Sequence, residues 1–134
     1  MKLRIHKGSL RFRFNREEVE ALSRGERLEE TVRVGPDEDQ TFGYFVAPSP
    51  EPLGEAGLRV RLRGNQLCVD VSAESLKAWH QSAELALSGV QKWDNQSVTV
   101  LLEKDMQRLN PKPGEESKDL YANPLFGKAR CDHP

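Results

Sequence analysis

Residues 10–34, LRFRFNREEVEALSRGERLEETVRV, read as strand, helix, strand, and that order limits what the chain can build. Leu10, Phe12 and Phe14 alternate with Arg11 and Arg13, the period of two of a half-buried strand. Asn15 can accept from the first free amides of a helix, and Glu18 three residues on completes a capping box. Val19 and Leu22 share one helical face, and Gly25 supplies the stop. Leu28, Val32 and Val34 then resume the alternation. A helix of about two to three turns does not hold alone in water, so Val19 and Leu22 must pack on a sheet.

The pattern returns 57 positions later, from Leu10 to Leu67. Leu67, Val69 and Val71 take the places of Leu10, Phe12 and Phe14, and Ser72 takes the cap position of Asn15. Leu76 and Trp79 match Val19 and Leu22, and Leu85 matches Leu28. Upstream, Leu3 and Ile5 map onto Val60 and Leu62. Downstream, 41–46 maps loosely onto 98–103. The repeat rests on pattern and capping chemistry, and it predicts two ββαββ units over about 2–46 and 59–103.

Taken in order, 2–6 and 10–14 form a hairpin across Lys7-Gly8-Ser9, and 16–24 a first helix. Residues 26–34 and 41–47 form a second hairpin, and 47–57, APSPEPLGEAG, a connection broken by Pro and Gly. Then come strands 58–63 and 66–72, helix 73–81, strand 83–90 and strand 97–104. The expected class is α+β: about eight mainly antiparallel strands, as a curled sheet or barrel, with two short helices. Such a sheet tends to curl or close to protect its edges. Residues 1–104 are read as one duplicated domain and 105–134 as an irregular, extended C-terminal tail. Pro111, Pro113, Gly114 and Pro124 break it, Glu115, Glu116 and Asp119 make it acidic, and Met106, Leu109, Leu120, Tyr121, Leu125 and Phe126 are its apolar anchors.

Each half alone would be marginal, whereas the full 134 residues can bury one core. The net charge of −1 gives no global attraction to nucleic acid or membrane, so no sequence-specific nucleic-acid partner is expected. No run approaches transmembrane length, and the N-terminus has no continuous apolar region of a signal peptide. Cys68 and Cys131 make neither a disulfide framework nor a C-x-x-C pair. A cytoplasmic protein is the simplest reading.

The most suggestive chemistry is the polar strand face. Opposite the apolar set stand Lys2, Arg4 and His6, then Arg11 and Arg13, Arg33, and Arg59, Arg61 and Arg63. Acids in that phase are fewer: Glu29, Asp70, Glu84 and Glu103. Guanidinium forks take phosphate or carboxylate, and clustered cations focus a field on an anion. With this face inward the arginines would line a tunnel; outward, they would be solvated charges. Their strand phase predicts one shared sheet face with two related basic clusters. His6, His80 and His133 lack metal-ligand spacing, and Cys131 with His133 is too small a set for zinc. Trp79 reads as core and Trp93 as a packed turn residue. There is no P-loop, G-x-G-x-x-G or G-x-S-x-G. No catalytic residue, metal site or cofactor is therefore assigned, and the balance leans away from an enzyme.

The segments LRIHKGSLRFRFNREEVEALSRGERLEETVRVG, QLCVDVS, VLLEKDMQRLNPKPGEE and LYANPL together resemble a family of small bacterial proteins of unknown function. The resemblance implies a bacterial cytosolic protein and no known activity. Separately, a duplicated antiparallel barrel with two helices resembles the CYTH, or triphosphate tunnel, fold, which implies triphosphate bound in a charged tunnel with metal on inward carboxylates. Its hallmark Glu-x-Glu-x-Lys on the first strand is absent; Arg11-x-Arg13 stands before the helix and Glu29-x-Thr31-x-Arg33 after it. Two functions follow. One is a non-catalytic binding or interaction module, whose tail anchors dock either on the chain itself or on a protein partner. The other is binding or processing of a small phosphate-containing anion by Arg4, Arg11, Arg13, Arg33, Arg59, Arg61 and Arg63.

Overall fold

The computed structural model describes residues 1–54 and 57–106. The tail beyond Met106, with Leu109, Leu120, Tyr121, Leu125, Phe126, Cys131 and His133, lies outside the described residues. The elements run β1 (Lys2–His6), β2 (Ser9–Phe14), α1 (Arg16–Ser23), β3 (Leu28–Arg33), β4 (Thr41–Ser49), β5 (Leu58–Arg63), β6 (Gln66–Ser72), α2 (Ala73–Gln81), β7 (Ala86–Trp93) and β8 (Gln96–Lys104). The order β-β-α-β-β therefore occurs twice.

Local chemistry sets most of the boundaries. Lys7 and Gly8 close the β1–β2 hairpin with φ of 42° and 75°, the left-handed pair that a two-residue turn needs. Asn15 Oδ1 accepts from the Glu18 amide at 2.8 Å, and Glu18 Oε1 accepts from the Asn15 amide at 2.9 Å. The capping box is complete. Gly25, at φ 95°, ends α1: its amide donates to Leu22 O and the Glu26 amide to Ala21 O, a Schellman motif. Ser72 caps α2 by accepting from the Ser75 amide at 3.4 Å. Replacing Asn15 by Ala should cost about 1–2 kcal/mol, and Ser72→Ala nearer about 0.5 kcal/mol, because the second bond is long and has no reciprocal partner. Denaturant unfolding of the two variants checks this; the reverse order would contradict it.

The strands make two four-stranded sheets, β1-β2-β8-β7 and β3-β4-β6-β5, and do not close into a barrel. The α+β class and the eight strands hold, but the expected single curled sheet is replaced by two. Outer pairs are antiparallel, while the central pairs β2–β8 and β4–β6 are parallel. Each ββαββ unit thus places its first hairpin in one sheet and its second in the other, so each sheet is assembled from both halves.

The register corrects the matched positions. Phe12 pairs with Leu102 and Val69 with Val46, so Leu102 stands where Val46 does. Leu28 pairs with Val46 and Leu87 with Leu102. Leu87, not Leu85, is therefore the counterpart of Leu28: the chain from the cap Ser72 to Leu87 is two residues longer than that from Asn15 to Leu28, one of them in the longer helix α2. The strand β4 also runs into the expected linker and includes Pro48. Its partner β3 begins opposite Val46, so at Pro48 one side of β4 has no neighbour that needs its missing amide.

The inner faces of both sheets share one core with the helices. Leu10, Phe12 and Phe14, Leu67, Val69 and Val71, Val46, Val100 and Leu102 are buried with Val19, Leu22, Leu76 and Trp79. Phe12 meets Tyr44 across the sheets at 6.0 Å between ring centroids, and Phe14 meets Trp79 edge-on at 6.1 Å. The helices touch each other at the end where β2 and β6 finish. At the opposite end the same inward phase leaves Ile5, Val32, Leu62 and Trp93 exposed. Trp93 is the last residue of β7 and half exposed, not the packed turn residue its sequence position suggested. Along one side, β5 and β7 approach, and the Gln91 side chain bonds both backbone groups of Val60 at 2.8 Å each. No helix among the described residues is long and apolar enough to cross a membrane.

Candidate functional site: the arginine faces

The alternation that buries Phe12 and Val69 turns the basic residues outward. The closed tunnel is not formed. Its physical obstacle is clear: the space between the sheets is filled by apolar side chains, and unpaired charges are not buried there. The arginines do not share one face either. Arg4, Arg11 and Arg13 lie on the outer face of β1-β2-β8-β7, whereas Arg59, Arg61 and Arg63 lie on that of β3-β4-β6-β5. The reason is the exchange of hairpins between sheets: β2 and β5 belong to different ones. The expectation of two related clusters fits this division, since Arg4 and Arg61 take equivalent places.

The β5–β6 cluster is neutralised from within. Asp70 is buried, and its Oδ2 accepts from Arg59 (3.1 Å, Nη2) and Arg61 (3.1 Å, Nε). A carboxylate shared by two guanidiniums is the kind of pairing that lets a charge be buried. Beside it, Cys68 is buried between Arg61 on β5 and Phe45 on β4 in the strand register. The Arg27 guanidinium lies 3.6 Å from the Phe45 ring centroid, and Arg27 also pairs with Glu29 at 3.3 Å. The aliphatic stems of such arginines cover apolar surface while their heads stay wet. Arg33 belongs to neither cluster; its guanidinium bonds Gly35 O at 3.1 Å and Pro36 O, which holds its own turn. Arg63 makes no side-chain hydrogen bond or ion pair among the described residues.

The β1–β2 cluster is different. Arg4 and Arg11 are directly opposed across the hairpin, and His6 is opposed to Ser9. These four side chains line a cleft of about 130 Å³. Arg11 Nε lies 2.8 Å from Glu103 Oε1, so that one guanidinium has an acid partner. Arg4, His6 and Arg13 have no side-chain hydrogen bond or ion pair among the described residues. Like charges placed opposite each other on neighbouring strands repel, and Glu103 answers only part of that repulsion. The cleft therefore offers two guanidiniums and an imidazole around a space of anion size, with the Ser9 hydroxyl turned to His6 O at 2.6 Å.

The family model described as "Family of unknown function (DUF7009)" matches residues 1–125. The chain belongs to that family. No curated protein and no solved structure matches it. The quoted sequence segments thus point to the right kind of relative, and for this DUF7009 chain the site must be argued from its own side chains.

Two participants escape a reading of arginines alone. His6 and Ser9 stand in the same strand phase as Arg4 and Arg11, and that alternation is the signal that could have grouped all four. Asp70 shares the phase of Arg59 and Arg61, but only the register shows that it takes both. Among the described residues no group of three or more His, Cys, Asp or Glu is placed to hold a metal ion. His80 lies 4.0 Å from Glu20 on the neighbouring helix, a helix–helix contact distant from either cluster in the chain.

Proposed function

We propose that this protein is a binding module for a phosphate- or carboxylate-bearing ligand, held at Arg4, His6, Ser9 and Arg11. The observation that carries the reading is the opposed pair Arg4 and Arg11 at a cleft of about 130 Å³, with Glu103 pairing Arg11 alone from the other side of β2. The forked geometry of a guanidinium suits a planar or tetrahedral oxyanion, and the His6 imidazole adds a donor of a different shape, while the Ser9 hydroxyl donates to His6 O at 2.6 Å and lines the wall. Arg59 and Arg61 are left out of the site because Asp70 already fills their forks, and Arg33 because it serves a turn. A bacterial, cytosolic setting belongs to this reading. It is supported by the family resemblance and by two cysteines too widely spaced for a disulfide framework.

A protein-interaction module is the second reading. It is supported by the four apolar side chains Ile5, Val32, Leu62 and Trp93 left exposed at one end of the sandwich. One experiment separates the two. Inorganic phosphate should raise the melting temperature of the wild type, because a ligand of the native state stabilises it by mass action. The gain should vanish in Arg4→Ala/Arg11→Ala and persist in Arg59→Ala/Arg61→Ala. Equal stabilisation of all three proteins, or of none, would remove the anion reading and leave the interaction module.

A further inference from the structure

Phosphate at the cleft uses only part of the basic surface. The cleft is one level of a ladder along the β1–β2 ribbon. His6 stands opposite Ser9, Arg4 opposite Arg11, and Lys2 opposite Arg13. Side chains of alternate residues on a strand emerge about 6.8 Å apart on one face. That is comparable with the distance between successive phosphates along an extended nucleic-acid strand.

The ladder carries an excess of positive charge. Lys2, Arg4, Arg11 and Arg13 are four fixed cations. Lys2 pairs with Asp105 at 3.4 Å and Arg11 with Glu103 at 2.8 Å, which leaves Arg4 and Arg13 without an acid among the described residues. The rest of that face bears Ser97, Thr99, Leu101 and Glu103 on β8 and Ala86, Ser88, Val90 and Lys92 on β7. Four of the five fixed cations at paired positions on that face thus form a stripe on one edge hairpin, with Lys92 apart on the opposite edge strand. A chain whose net charge is −1 hides this local stripe in its total. The opposite sheet does not reproduce it, since Asp70 sits between Arg59 and Arg61.

We propose that the β1–β2 ribbon binds the backbone of a single-stranded nucleic acid, one phosphate at each level. This rests on the anion reading of the cleft and extends it to the class of ligand. The face carries no Phe, Tyr or Trp at the paired positions, so bases have no platform to stack on. Binding is therefore indifferent to base sequence and dominated by counterion release.

The test compares three probes on the full chain: inorganic phosphate, long-chain polyphosphate and a fluorescein-labelled oligothymidylate. Fixed cations stand at two of the three levels, so two phosphates neutralised on a single strand predict a slope of about −1.4 in log affinity against log salt. Arg13→Ala removes a cation outside the cleft; it should flatten that slope by about 0.7 for the oligothymidylate while leaving stabilisation by inorganic phosphate unchanged. Arg4→Ala should impair both. Stabilisation by phosphate with no measurable oligothymidylate binding, or with an unchanged slope in Arg13→Ala, overturns the ladder and leaves the single-anion cleft standing. Binding of polyphosphate alone also overturns it and assigns the stripe to a denser polyanion. Failure of all three probes removes the cleft reading as well.

Discussion

Phe12→Ala is expected to lower the unfolding free energy by about 3–5 kcal/mol, the loss typical of a phenyl ring removed from a core that cannot collapse around the gap. Phe12 is fully buried and lies between Leu3 and Leu102 in the strand register. Its ring also meets Tyr44 from the other sheet. A folded domain has about 5–15 kcal/mol in hand, so this one change removes a large share. Ile5 provides the internal control. It lies in the same strand phase as Leu3, yet is 66% exposed, so Ile5→Ala should change stability by no more than about 0.5 kcal/mol. Denaturant midpoints of the two variants decide the matter. A loss below about 1 kcal/mol for Phe12→Ala would mean that the two sheets do not share a core. A double-mutant cycle with Tyr44 should add a coupling of about 0.5–1.5 kcal/mol for the aromatic pair.

The second large effect is expected at Lys104. This residue ends β8 in the phase of Val100 and Leu102, and its side chain enters the apolar interior. Its ammonium donates to Trp79 O at 3.0 Å and to Ser82 O at 2.9 Å, the carbonyls at the end of α2. It also lies 5.6 Å from the Trp79 ring centroid. A cation at a helix C-terminus answers the negative end of the helix dipole; here it adds to the Ser82 amide (3.2 Å) and hydroxyl (3.1 Å), which already donate to Trp79 O. Burial pushes the Lys104 ammonium below the usual lysine range, while Glu84 acts in the other direction. Lys104→Met keeps most of the stem and deletes the ammonium. The expected loss is about 1.5–3 kcal/mol, the range for hydrogen bonds made by a charged group, because Ser82 O loses its charged donor while Trp79 O keeps those from Ser82. The far-ultraviolet signal of α2 should fray before the global transition. A variant as stable as the wild type would show that solvent reaches those carbonyls and that the ammonium is dispensable.

What was legible in the sequence was local. Asn15, Glu18 and Ser72 announce helix starts because a cap bond spans only three residues. The Lys7-Gly8 turn announces its hairpin for the same reason. The division into two sheets was not legible, because it depends on parallel pairing of β2 with β8 across most of the chain. Strand phase alone cannot say which hairpin lies beside which. The same gap put all the arginines on one face, since equal phase means equal face only within one sheet. A fixed spacing matches Leu85 to Leu28 because it cannot see the two extra residues between the cap of α2 and the matching position on β7. At the candidate site, the phase of Arg4, His6 and Arg11 can be read, and the short hairpin already places Arg4 near Arg11 and Arg13; the cleft that His6 and Ser9 complete beside them cannot. Asp70 shows the opposite limit: its phase was plain, and its capture of two guanidiniums follows only from the register. Lys104 is a further case, a charge in an apolar phase whose partners belong to a helix over twenty residues earlier.

The Gln91 amide has a consequence for behaviour in concentrated solution. Its oxygen accepts the Val60 amide proton and its nitrogen donates to the Val60 carbonyl. A primary amide carries the same donor and acceptor as a peptide group, so this side chain occupies one rung of β5 as a neighbouring strand would. Val60 lies mid-strand, between Arg59 and Arg61. An unoccupied rung there would offer another molecule a template for intermolecular pairing. With it filled, and with arginines on both sides, β5 presents no uninterrupted run from which a cross-β fibril could grow. One glutamine thus acts as a guard against aggregation on the flank where the two sheets meet.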